Sequence, residues 1–167
     1  MLNKAKNLQR GFTLIEILIV IGILAILATV VLIALNPARQ FAQARNSQRT
    51  SNVNSILNAI GQNIADNKGN FTCGATGVID NTTRVIKYVA IVTAGATDLR
   101  QCIVPTYMSE IPYDPSYNNN AGHVTSATDY NTEYTVTKDA TTQRVTVCAL
   151  GGAEPAISGS IAICVER

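Results

Sequence analysis

The sequence predicts an α+β protein: a long N-terminal apolar stem helix, packed by its C-terminal half on a small antiparallel β-sheet head. Three observations predict it. Residues 12–35 form one nearly unbroken apolar run. Val53, Ile56, Leu57, Ile60 and Ile64 then recur at helical spacing. The C-terminal third alternates apolar and polar residues at period two. Four segments follow: a leader at 1–11, a span at 12–35, an amphipathic continuation of the stem at 36–66, and a disulfide-bonded head at 67–167.

The leader is basic. Lys4, Lys6 and Arg10 precede Phe12 with no acid among them, and the whole chain carries a formal charge of +2. Without residues 1–11 it has ten basic and eleven acidic residues. A body this close to neutrality argues against a dedicated nucleic-acid binder.

The span comes next, in "RGFTLIEILIVIGILAILATVVLIALNP". Of the 24 residues from Phe12 to Leu35, 17 are Leu, Ile, Val or Phe, and one is charged. As a helix it reaches about 36 Å, against about 30 Å of bilayer hydrocarbon. Insertion of the apolar residues contributes on the order of −5 to −10 kcal/mol, against about +3 for one central acid. Insertion wins. The basic residues before the run set its N-terminus on the cytoplasmic side.

Two other readings compete. A buried core helix would need a domain able to cover 24 apolar residues on all sides. A cleaved signal peptide has an A-x-A pattern at Ala42-Gln43-Ala44, with Arg45 as the new first residue. Its apolar run, however, is far longer than a typical signal core, and Arg39 intrudes before the cut.

Glu16 is the one charge in the span. Thr13-Leu14-Ile15-Glu16 fits a capping box, and a first-turn carboxylate suits the positive end of the helix dipole. That explains why an acid is tolerated there. An acid inside a membrane segment also asks for a cationic partner, and the span offers no Lys, Arg or His. Cutting the chain after Gly11 would create one, the free amine of Phe12.

On these residues the chain resembles the bacterial type IV pilins and the pseudopilins of type II secretion. The match consists of the short basic leader, Gly11, Phe12, Thr13-Leu14 and Glu16, then the apolar span, and it covers about the first 45 residues closely. The resemblance implies a pilin fold and a structural subunit, not an enzyme. It implies cleavage between Gly11 and Phe12 and N-methylation of Phe12 by a prepilin peptidase. It also implies that Glu16 pairs with the terminal amine of a neighbouring subunit, since an unpaired buried carboxylate is costly. The partners implied are further copies of the chain, the inner membrane before assembly, a pilus assembly platform and a separate ATPase. An extracellular fibre is the destination. The alternatives are a minor pilin or pseudopilin of a secretion or DNA-uptake system and, from another class, a membrane-anchored or secreted disulfide-bonded binding domain. Family members often carry a proline about one helical turn before the place of Pro37. Here the expected helix break is Asn36-Pro37, with Gly22 a second candidate for loosening.

Beyond Pro37 the stem is expected to continue from about Ala38 to Ala65, with Asn54, Asn58 and Gln62 on its outer face. Arg39, Arg45 and Arg49 are expected to solvate that helix, or else to meet acids on a neighbour's head. Three scattered arginines give nucleic-acid capture no real support. "DNKGNFTCGATG" ends the helix and "RVIKYVAIVT" leans to strand. "ATDLRQCIVPTYMSEIPYDPS" reads as a short helix followed by turns at Pro112 and Pro115, and "SYNNNAGHVTSATDYN" as a polar loop. "EYTVTKD", "QRVTVCAL" and "SGSIAICVE" read as an antiparallel meander.

Four cysteines, an even number, suit two disulfides outside the cell. The sequence leaves three pairings open. Cys148 and Cys164 each lie one step off the apolar face of consecutive strands, which favours joining them and leaves Cys73 to Cys102 by elimination. There is no C-x-x-C pair and only one histidine, His123, so no zinc site is expected and His123 reads as a solvated loop residue. Asp114, Asn118, Asn119, Asn120 and Asp129 could donate oxygens to calcium, but their spacing fits no EF-hand loop. No phosphate-binding glycine loop occurs, so no cofactor is expected.

Overall fold

Why the first helix stops where it does is a matter of two residues, Asn36 and Pro37. In the computed structural model, which describes residues 11–91, 93, 95–116 and 123–167, α1 spans Leu14–Leu35 and α2 spans Pro37–Asp66. Asn36 sits between them in the left-handed region (φ 43°), a conformation that Asn tolerates better than most residues. Pro37 lacks an N–H and has its φ preset, so it suits the first position of α2. Asn36 also accepts from the Arg39 amide, through its backbone oxygen at 3.1 Å and its side-chain oxygen at 3.4 Å. By contrast α1 runs through Gly22 without interruption, since one glycine costs only about 1 kcal/mol against alanine.

The chain divides into two units, with the boundary between Gln40 and Phe41, inside α2. The first unit holds α1. In the second, α2 lays Val53, Ile56, Leu57 and Ile60 against a sheet, all of them at most 2% exposed. Each such side chain contributes about 1.5–3 kcal/mol when fully buried. Asn58 and Gln62 face solvent and Asn54 is half-buried. Gly69, in the left-handed region at φ 91°, donates its amide to Ile64 at 2.8 Å and ends the helix.

The sheet contains β1 (Arg84–Lys87), β2 (Ala96–Thr97), β3 (His123–Ser126), β4 (Asp129–Lys138), β5 (Val145–Ala149) and β6 (Ile163–Glu166), with a short helix α3 (Arg100–Ile103) after β2. Its order is β2-β1-β4-β5-β6, and β3 pairs with β4. Ile86, Tyr134, Val136 and Val147 face α2's stripe in one core.

Two expectations about the sheet need correcting. It is mixed rather than wholly antiparallel, because β2 runs parallel to β1, with Val85 opposite Ala96. This two-residue strand is pinned by Thr97, whose hydroxyl donates to Val78 O at 2.8 Å and accepts from Val78 N at 2.9 Å. In addition, part of the polar segment read as a loop is strand β3, paired across a tight turn with the start of β4. His123 therefore lies on a strand, its ring 3.0 Å from Asp129 Oδ1. Of the candidate calcium donors, Asp114 is engaged by Arg49 and Asp129 accepts from Thr125. Asn118, Asn119 and Asn120, like Lys4, Lys6 and Arg10, lie outside the described residues.

Candidate processing and assembly site

The N-terminal site begins at Gly11 and Phe12, which precede the helix in extended or irregular backbone, Phe12 with 79% of its surface exposed. Thr13, in β conformation, caps α1. Its hydroxyl accepts from the Glu16 amide at 3.2 Å, and its own amide donates to Glu16 Oε2 at 3.5 Å. The capping box is thus reciprocal, but the return contact is long, and it uses only one carboxylate oxygen. Glu16 remains exposed, one turn from Phe12.

Around it the helix has no buried face. Residues Leu14–Ile33 have a mean hydropathy of 3.0, none of them is buried, and every large apolar side chain there is 47–84% exposed. Apolarity on all sides of a twenty-residue helix suits a bilayer, or a bundle of like helices, and not the surface of a soluble domain. Its other polar side chain, Thr29, returns its hydroxyl to the helix, 2.8 Å from Ile26 O and 3.0 Å from Ala25 O. Glu16 is therefore the one group in the span whose bonding capacity is largely unspent.

Residues 6–32 match the prokaryotic N-terminal methylation motif. The N-terminus is a class III prepilin leader. Leaders of this class belong to type IV pilins and pseudopilins, which are structural proteins processed by a prepilin peptidase and assembled into filaments. This motif and the apolar helix together fit a membrane-anchored precursor. The match ends within α1 and leaves the head uncovered. No curated protein and no solved structure matches the chain.

The head contains a second polar constellation that the sequence reading missed. Arg49, expected in solvent, is completely buried. Its Nε and Nη2 donate to Asp114 at 2.8 and 2.9 Å, Nη1 donates to Glu154 at 2.5 Å and Asn46 at 2.7 Å, and Nη2 also donates to Ser116 at 2.6 Å. All five guanidinium donors are used. Arg45, one turn earlier and about one-third exposed, makes a bidentate pair with Glu154 at 2.6 and 2.7 Å. Two cations meet two carboxylates, so the cluster is neutral, and no buried side-chain polar atom among the described residues is left without a partner.

The electrostatics follow from those contacts. Hydrogen bonds from Arg45, and then from Arg49, hold the Glu154 carboxyl at about 2, overcoming burial that pushes it up. Burial is the largest influence on Asp114 and raises it, but the bonds from Arg49 and Ser116 together keep it below the ordinary carboxylate range. Burial likewise works against charge on Arg49, and the two carboxylates outweigh it. The partners lie 65 and 105 residues away in sequence. No local pattern announces them, although Asp114 in the Ile-Pro-x-Asp-Pro turn was the nearest available signal.

The cysteines sit in two pairs. Cys148 and Cys164 face each other directly across β5 and β6 and are joined. Cys73, in the loop after α2, is joined to Cys102 on α3.

Proposed function

We propose that this protein is a structural subunit of a type IV pilus-like extracellular filament. In this reading its N-terminus lies in the cytoplasm and a prepilin peptidase cuts between Gly11 and Phe12 and methylates the new amine. The observation that carries it is Glu16: one carboxylate with unspent bonding capacity, four residues after Phe12, on a helix otherwise apolar on every side.

The chemistry is economical. Transfer of α1 from lipid into a core of like helices changes apolar burial little, so the membrane serves as a reservoir of subunits. Register has to come from something directional. A carboxylate of one subunit and the Phe12 amine of the next provide it, because in a low-dielectric core each is costly without the other. Mechanical work and docking fall to a separate ATPase and an assembly platform. The Asn36-Pro37 junction is the place where the stem would bend or unwind on packing into a fibre, with Gly22 as the alternative point.

The same leader serves minor pilins and pseudopilins, and abundance of the chain in purified filaments separates a major subunit from these. The mass of the N-terminal peptide of protein collected outside the cell tests the processing step. A peptide beginning at methylated Phe12 is the expected result. One beginning at Arg45 would mean removal of a signal peptide, and one at Met1 an uncut anchor; both would sink the filament reading.

A further inference from the structure

Within the head, a trough runs along α2. One wall is a row of polar side chains, Gln48, Asn52, Ser55 and Asn58, set three or four residues apart over a helical rise of about 15 Å. The other wall is the segment from Tyr107 to Pro115. Two adjoining clefts make up the trough, of about 680 and 450 Å³, and they share Asn52, Glu110 and Pro112. Small-molecule pockets have volumes of this order. Ile111, Pro112 and Val124 give the larger cleft an apolar lining, and Tyr113 adds a ring with 45% of its surface in solvent.

The two walls are held by one buried amide. Asn52, 7% exposed, donates through Nδ2 to Tyr113 O at 3.1 Å and to the Tyr134 hydroxyl at 2.8 Å. Its Oδ1 accepts from Gln48 Nε2 at 2.8 Å. Asn52 is thereby spent on structure, fixing the Gln48 amide on one side and the Tyr113 backbone on the other. Among the described residues, Gln48 Oε1, Asn58 Nδ2 and the hydroxyls of Ser109 and Tyr113 have no partner.

Charge and backbone bonding narrow the occupant. Glu110 is the one charged side chain lining either cleft among the described residues, and it is already paired with Arg100 at 2.7 and 2.8 Å. A charged ligand would find no counter-ion. An extended peptide would look for free backbone groups along an edge. Here the amides of Tyr107 and Met108 donate to Ile103 O, those of Ile111 and Asp114 to Glu110 Oε1 and Thr132 O, and Pro112 and Pro115 have none. What remains is a line of side-chain amides and hydroxyls beside an aromatic face. Sugar rings match that pattern, with hydroxyls at their edges and C–H groups on their faces.

We propose that this trough is a binding site for a neutral, extended β-linked oligosaccharide: one sugar ring stacks on Tyr113, and hydroxyls along the chain bond to Gln48, Ser109 and Asn58. The straight row on α2 favours an extended chain over a coiled one. Because Asn52 already fixes Gln48 and Tyr113, little ordering entropy opposes binding. The site belongs to the head alone and stands apart from the filament reading.

Saturation-transfer NMR on the full chain tests it, in lauryldimethylamine oxide, a detergent without a sugar headgroup. Cellotriose and chitotriose are the probes; hexaproline and a hyaluronan tetrasaccharide are the peptide and charged controls. The expected result is transfer to the ring protons of at least one probe and to neither control. In titrations, Tyr113→Ala and Gln48→Ala should each weaken binding about tenfold, whereas Tyr113→Phe keeps most of it. Unfolding midpoints establish that each variant retains its head. No transfer to either probe overturns the proposal. Transfer to hexaproline or to the hyaluronan fragment alone overturns it in favour of a peptide or an anionic ligand, and binding undiminished in folded Tyr113→Ala and Gln48→Ala places the sugar elsewhere and overturns it too.

Discussion

Arg49 reaches Asp114 through two parallel hydrogen bonds of 2.8 and 2.9 Å, and neither side chain has more than 5% of its surface in solvent. That pair joins the stem to the turn at Pro112 and Pro115, and Glu154 extends the joint to the loop after β5. Two distant pieces of chain are thereby fixed on one side of α2.

Removing the guanidinium leaves Asp114 and Glu154 buried around a missing cation. Arg49→Ala should cost about 3–5 kcal/mol of head stability. Arg49→Lys should recover only part of this, because one ammonium cannot reproduce a planar fork with five donors. Chemical unfolding of the full chain in mild detergent measures both; a loss under about 1 kcal/mol for the alanine variant would mean that the pair behaves as a solvated one.

Acid should loosen the same joint. Glu154 falls from its ordinary 4.5 to about 2 on folding, and Asp114 is lowered as well. A depressed carboxyl stabilises the fold above its unfolded value, and that contribution is lost as pH falls toward the folded value. Head stability should therefore be level near neutrality and decline between about pH 4.5 and 2, with Glu154 responsible for about 2–3 kcal/mol. At the alkaline end burial pushes Tyr134 up to about 12, so its contribution is lost as pH rises from about 10 toward that value. Glu154→Gln should flatten the acid limb; an unchanged limb would move its origin away from this cluster.

The disulfides should differ little in weight. Cys148–Cys164 closes 16 residues and Cys73–Cys102 closes 29. Loop-closure entropy assigns them about 3 and about 3.5 kcal/mol. Paired Cys→Ser variants, compared by unfolding midpoint, test this. A much larger loss at 148 and 164 would point to a role for the bond in holding β6 in register.

Glu16→Ala should insert in the membrane and be cleaved after Gly11, yet enter filaments poorly. Gly11→Val should block cleavage and leave the leader attached. Immunoblots of membrane and sheared-filament fractions read both. Normal incorporation of the Glu16 variant would remove the pairing account of that residue.

Local chemistry was legible in the sequence, and long-range chemistry was not. The apolar run, the Thr13–Glu16 box and the α2 stripe are each contained within a few turns of chain, where period and composition report directly. β3 was hidden because "HVTS" is short and mostly polar, and it is strand only by pairing with β4. β2 was hidden for the same reason: two residues have no period. Arg45 and Arg49 read as surface because an arginine on a polar helix usually is.

By itself, then, the sequence determined that the first half is a membrane-length helix running into an amphipathic one. The assignment of Gly11, Phe12 and Glu16 came from the resemblance to the pilins, and it was legible because those residues lie within a few positions of one another. Only the tertiary structure decided that Arg49 is buried and that Glu154 clamps the loop after β5 to α2. Each of these depends on partners brought together across 65 to 109 residues, where burial and charge pairing are properties of the assembled head and not of any segment within it.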